Sequence, residues 1–190
     1  MRYILNKKDC SFLGKGKEGE VYLTPEGYAL KIFYRKSKAI SEVKLLEIAS
    51  GSRFFPNVLF IANNMVLRDY VEGITLREYI RNNGLSFNLS CEIIELVEEF
   101  KNLNFKRINI RNAHIFVNED EKIQVIDPRK VFSKNTPYPK DIVKILVQEN
   151  LFEDFLKHVL EYEKDLSSYW VEAYDYYIYH SKKSYKINMK

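Results

Sequence analysis

Three glycines, Gly14, Gly16 and Gly19, fall inside the run Leu13-Gly14-Lys15-Gly16-Lys17-Glu18-Gly19-Glu20-Val21-Tyr22. After the last of them the chain continues Glu20-Val21-Tyr22-Leu23-Thr24-Pro25, which favours a strand and is then broken by proline. A glycine-rich turn that opens a helix, as dinucleotide folds require, does not fit. The run predicts strand, glycine turn, strand, a second turn at Thr24-Pro25-Glu26-Gly27, and a third strand from Tyr28 to Phe33 carrying Lys31. Glycines without Cβ let a hairpin backbone approach a phosphate and offer it N–H groups. A lysine within an apolar strand is costly to bury without a partner, so Lys31 needs an anion. The plainer alternative is a Gly-rich hairpin with a surface lysine.

At 190 residues the chain is long enough for one domain with a core, or for two small lobes around a cleft. Hydrophobic residues make up 46% and charged residues 29%, as in water-soluble globular proteins. The net charge of +4 is compatible with phosphate-bearing ligands and too small to imply nucleic acid. Cys10 and Cys91 form no C-x-x-C pair and are expected reduced and packed. The N-terminal residues Met1 to Asp9 lack a signal-peptide core, and no run of about 18 apolar residues predicts a membrane span, so the expected location is the cytoplasm.

Residues 1–12 suggest a short strand and lead-in, and Ser37 to Ala49 a helix with Ile40, Val43, Leu45 and Leu46 along one side. That helix carries Glu42 and Glu47. Strands follow at Asn57–Ile61 and Met65–Tyr70, then Leu67-Arg68-Asp69-Tyr70-Val71-Glu72-Gly73 leads into a helix that Thr75 can cap. A strong amphipathic helix covers 89–103, with Ile93, Ile94, Leu96, Val97, Phe100 and Leu103 inward and Glu92, Glu95, Glu98 and Glu99 outward. Two short strands then flank the turn Asn118-Glu119-Asp120-Glu121, the second running into Asp127. Helices are expected from Asp141, over 151–162 and over 165–181. Tyr169, Trp170, Tyr174, Tyr176, Tyr177 and Tyr179 suit the edge of a thin core, or a stacking surface for a peptide or RNA. Lys182, Lys183, Lys186 and Lys190 form a basic tail, solvated or facing an acidic partner.

From residue 12 to residue 146 this order resembles the protein-kinase superfamily, and most closely the short predicted serine/threonine kinases of prokaryotes. The resemblance implies an α+β, two-lobed fold. An antiparallel-sheet lobe with one helix (1–69) would bind nucleotide, and a reduced, mainly helical lobe (70–190) would follow. It implies Gly14, Gly16, Gly19 and Val21 over ATP, Lys31 on the α- and β-phosphates, Glu42 pairing with Lys31, and the backbone near Asp69 and Val71 on adenine. Asp127 would hold Mg. Asn109 stands where the family has its catalytic aspartate, Arg111 where a phosphate-contacting lysine is common, and His114 where an asparagine holds a second metal ion.

The departures bear on activity. Asn109 cannot take a proton as a carboxylate does, a loss of about 10²- to 10⁴-fold, though its amide oxygen can orient a hydroxyl. Magnesium prefers oxygen to the nitrogen of His114. Pro128-Arg129 replaces the usual Phe-Gly, and no Ala-Pro-Glu segment follows. Arg68 takes a position that is usually apolar, and either turns to solvent or blocks part of the pocket. Asp141 either braces the catalytic loop or is a plain N-cap. The expectation is an ATP- and Mg-dependent kinase acting on protein serine or threonine hydroxyls. The alternatives are a nucleotide-binding pseudokinase that regulates an unknown partner, and a small-molecule kinase, for which 190 residues leave little room.

Overall fold

The computed structural model describes residues 7–128, 131–132 and 135–187, with side chains given to residue 181. The start of the expected lead-in, Arg129 and Lys190 lie outside the described residues, as do the side chains of Lys182, Lys183 and Lys186. Among the described residues there are eight strands and six α-helices, an α+β composition, grouped into two compact units. The first comprises 1–72 with 124–129, the second 73–123 with 130–190.

The first unit is built on a five-stranded antiparallel sheet in the order β1-β2-β3-β5-β4. Its strands are β1 (Ser11–Lys15), β2 (Gly19–Leu23), β3 (Tyr28–Phe33), β4 (Val58–Ala62) and β5 (Met65–Asp69). β1 starts earlier than the glycine run, after a 3-10 turn at Lys7–Asp9. Gly19 pairs with Phe33 where β2 meets β3, and a Cβ on it would overlap the Ile32 carbonyl and lie 2.9 Å from Phe33 Cα. The close approach of those two strands therefore needs a glycine there.

Directly opposed residues of a sheet share a face. Val21, Lys31, Val66 and Ile61 form one row across four strands, and Leu23, Ala29, Arg68 and Val58 the next. Helix α1 (Lys36–Ile48) buries Ala39 and Val43 in a cluster with Phe33 and Val66. The buried stripe of α1 is Ala39, Glu42, Val43 and Leu46, at i, i+3, i+4 and i+7. Ile40, expected inward, is exposed: the helix is rotated so that Glu42 faces the sheet.

The second unit contains β6 (Ile74–Thr75) antiparallel to β7 (Ile115–Val117); β8 (Ile123–Val125) begins in this unit, and its residues from Gln124 onward belong to the first. Helix α2 (Leu76–Asn83) starts at a full capping box. Glu78 N–H donates to the Thr75 hydroxyl, and Thr75 N–H donates back to the Glu78 carboxylate at 3.1 Å. Helix α3 (Phe87–Asn102), capped by Ser86, buries Leu89, Ile93, Ile94, Leu96, Val97 and Phe100. Glu92, expected on the wet face, is buried at 5% exposure. It accepts the Ile123 N–H at 3.2 Å and the Lys122 ammonium at 2.9 Å, satisfying a strand donor that a hydrophobic residue would leave unpaired.

Helices α4 (Lys140–Gln148), α5 (Phe152–Tyr162) and α6 (Ser167–Ile187) complete the unit. Trp170 is fully buried and meets Phe155 edge to face at 4.7 Å. Tyr138 touches Tyr169 and Tyr176 at 5.3 Å, so these rings pack against one another. Tyr179, expected with them, is 63% exposed. No disulfide joins the half-buried Cys10 and Cys91. No described helix is long and apolar enough to cross a membrane.

Candidate functional site

Within the first unit, four charged side chains meet on one face of the sheet. Lys31 projects from the middle of β3, and its ammonium donates to the Glu42 carboxylate. The same ammonium lies 3.4 Å from Asp127 Oδ1. Arg68 joins from β5, with Nε 4.0 Å from the other Glu42 oxygen. The side chains of Lys31, Glu42 and Arg68 are 8%, 5% and 5% exposed, that of Asp127 16%. Among the described residues, two cations and two carboxylates thus meet in a nearly dry quartet. Burial pushes the Glu42 carboxyl above the ordinary glutamate value, while the Lys31 and Arg68 charges pull it down. Burial likewise lowers the Arg68 guanidinium, against the Glu42, Asp127 and Asp69 charges.

Asp127 follows β8 with φ +52°, a left-handed backbone, directly before Pro128. A proline disfavours the helical region for its predecessor, and left-handed non-glycine residues cluster where geometry serves function. The backbone upstream is pinned within the same unit by the Val125 N–H donating to the Phe54 carbonyl at 2.8 Å.

In the glycine turn, Gly16 N–H donates to the Gly19 carbonyl at 2.9 Å. A Cβ on Gly14 would meet nothing within 4 Å, and one on Gly16 only the Gly19 carbonyl at 4.0 Å. Neither glycine is required by packing, in contrast to Gly19. Val21 is half-buried, on the same sheet face as Lys31.

Asp69 uses its carboxylate locally, accepting Asn57 N–H at 3.0 Å and the Asn57 amide at 2.8 Å to tie β4 to β5. Its carbonyl accepts a long hydrogen bond from Arg68 Nη1 at 3.5 Å. Val71 is buried. Arg68 does not turn to solvent, correcting one of the two sequence alternatives. A signal was present: Arg68 stands two residues from the apolar Val66 in a strand, and strand side chains alternate with period two, so the two share a face.

Asn109, Arg111 and His114 belong to the second unit. The Asn109 amide oxygen accepts the Asp141 N–H at 2.7 Å, so it caps the start of α4 from a distance. Asn109 N–H donates to the Thr136 hydroxyl at 3.3 Å, and its carbonyl accepts from Arg107 Nε at 2.9 Å. Nothing local in the sequence marks Thr136 for this contact. Asp141 is in the first turn of α4 and makes no cap; Pro139 holds the N-cap position. Arg111 is exposed and precedes the 3-10 turn Asn112–His114, whose His114 N–H donates to the Arg111 carbonyl at 2.9 Å.

Among the described residues no group of three or more His, Cys, Asp and Glu side chains is placed to hold a metal ion. Magnesium at nucleotide sites is held by one or two carboxylates, phosphates and water, and the Asp127 carboxylate supplies that chemistry; the His114 nitrogen does not.

No protein-family model matches the chain. It is similar to the "Putative serine/threonine-protein kinase YrzF" of Bacillus subtilis (strain 168), 28% identical over a 131-residue alignment. The alignment covers 63% of this chain and 59% of that protein, so the chain spans little more than half of its relative's length. This likeness supports a distant, kinase-like relationship.

Proposed function

We propose that this chain binds Mg-ATP and transfers its γ-phosphate to serine or threonine hydroxyls of proteins, slowly. The observation that carries the reading is the Lys31 ammonium held between Glu42 and Asp127 on the face that also bears Val21. Lys31 would set a compact charge against the α- and β-phosphates, with Glu42 fixing its position. Gly14 and Gly16 would admit the phosphates to the backbone N–H groups, which explains two glycines that packing does not require. Val21 would cover the base, and the backbone near Asp69 and Val71 would hydrogen-bond its edge. Asp127 would hold a magnesium ion, which neutralises phosphate charge when bound. Arg111 would reach the γ-phosphate and Asn109 would orient the acceptor hydroxyl.

A second reading is favoured by one observation: the Asn109 amide oxygen is already accepting the Asp141 N–H. An amide committed to holding a helix end makes a poor substitute for a base, and that favours a nucleotide-binding pseudokinase that regulates a partner by shape.

The test is transfer of labelled γ-phosphate to a protein acceptor, or autophosphorylation, with ATP and magnesium, beside Lys31→Ala and Asp127→Ala. Transfer above both variants supports the first reading. Nucleotide binding without transfer, seen by thermal shift with and without magnesium, supports the second. ATP consumption only with hydroxylated metabolites would replace both with a small-molecule kinase.

A further inference from the structure

Arg68 carries a charge into the interior of the first unit and is not one of the residues that the proposed nucleotide reading uses. Its side chain is 5% exposed, and its Nε has no hydrogen-bond acceptor among the described residues. What it faces is charge. Glu42 Oε1 lies 4.0 Å from Nε, and Asp127 and Asp69 contribute attraction from further off. A guanidinium stays ionised at any ordinary pH, so it is a permanent cation at this place.

The arithmetic of the quartet gives this cation a purpose. Without Arg68, Glu42 would depend on the Lys31 ammonium, which it shares with Asp127. Lys31 would also be held by the stronger pull of two anions, with little reason to turn to a third. With Arg68 present, Glu42 has one cation at each oxygen, Lys31 on Oε2 and Arg68 facing Oε1. Arg68 pairs across the strands with Ala29, one row along the same face from Lys31, so both cations approach Glu42 from the sheet.

We infer that Arg68 is a positioning residue: a second counterion to Glu42 that keeps the helix glutamate anchored and releases part of the Lys31 charge for a phosphate group. The part that concerns phosphate rests on the nucleotide reading above; the Arg68–Glu42 coupling does not.

Two measurements on the full chain separate these. The proteins are the parent, Arg68→Met, Arg68→Lys, Glu42→Gln and the Arg68→Met/Glu42→Gln double variant. The first readout is urea denaturation, which needs no ligand. Arg68→Met is expected to lower the midpoint, and adding Glu42→Gln to raise it again, since the buried carboxylate that lost its second cation is then gone. Additive losses overturn the inference, because a side chain that only fills space is not rescued by removing a remote charge. If Arg68→Met fails to fold, a folded double variant supports the inference, and an unfolded one overturns it.

The second readout is equilibrium binding of ATP. Arg68→Met is expected to weaken it at least about tenfold, Arg68→Lys by no more than about threefold, and the double variant to bind no more weakly than Glu42→Gln alone. Parent-like affinity in Arg68→Met overturns the release of Lys31. A parent that binds no ATP overturns both the nucleotide reading and that release, while the denaturation series still decides whether Arg68 and Glu42 are coupled.

Discussion

Lys31→Met removes one charge from the buried quartet and keeps most of the side-chain volume. Taking one partner out of a buried ion pair costs about 3–5 kcal/mol, because the other is left uncompensated. Here Arg68 still faces Glu42 at 4.0 Å, which sets the expected loss at the lower end, about 3 kcal/mol. For a chain of this size that is a drop of about 6–12 °C in Tm. The loss also depends on pH, and its sign follows from Glu42. Burial already holds that carboxyl above its ordinary value, and removing Lys31 raises it further. Between the unfolded and folded values the folded variant keeps a proton that the unfolded chain has released, so its stability falls as pH rises through that window. The slope can reach about 1.4 kcal/mol per pH unit. Urea denaturation of parent and Lys31→Met, followed by circular dichroism at pH 5, 6.5 and 8, is expected to show the smallest difference at pH 5. A loss below about 0.5 kcal/mol, the range of ordinary surface substitutions, would refute the buried network.

The glycine turn gives a paired test. Gly19→Ala is expected to unfold or aggregate because its Cβ meets the Ile32 carbonyl, whereas Gly16→Ala keeps the parent melting temperature and loses ATP affinity in a titration. Thr75→Ala removes the cap of α2 and is expected to cost about 1 kcal/mol in a denaturation midpoint. The Thr75 hydroxyl, then its N–H, holds the Glu78 carboxyl below the ordinary value, so this contribution is present at neutral pH and fades as pH falls through the acid range. Asn109→Ala orphans the Asp141 N–H at the start of α4 and is expected to cost about 1 kcal/mol, while Asn109→Asp holds stability within that margin. At the alkaline end, burial raises the Tyr169 phenol, whose hydroxyl also donates to the Pro137 carbonyl at 3.0 Å. That stabilisation is present below the ordinary tyrosine value of about 10 and is lost above it, so Tyr169→Phe should flatten the alkaline limb of a stability–pH curve.

Local pattern alone made much of the first unit legible. The glycine turn, the proline after β2 and the apolar run around Lys31 are each set by backbone conformation and near neighbours. The Thr75 cap and the apolar stripe of α3 are of the same kind. The likeness to a kinase was readable for that reason, since it rests on short runs. What stayed hidden were the destinations of charged and polar groups. Glu42 and Glu92 are both helix glutamates with similar surroundings in sequence, and both are buried. One is turned inward by Lys31 and Arg68, the other by the Ile123 N–H and Lys122. Ile40 is exposed as the consequence of the first. Asn109 resembles a catalytic position by spacing, yet its amide holds a helix that begins far along the chain.

The chain's own order of residues therefore determined which segments became strands, turns and helices, because those choices depend on propensity and on contacts a few residues away. Only the tertiary structure decided which ionised groups leave water. The cost of burying a charge is met by a partner, and for Lys31, Asp127 and Arg68 that partner comes from a distant stretch of chain that folding brings to the same face of the sheet.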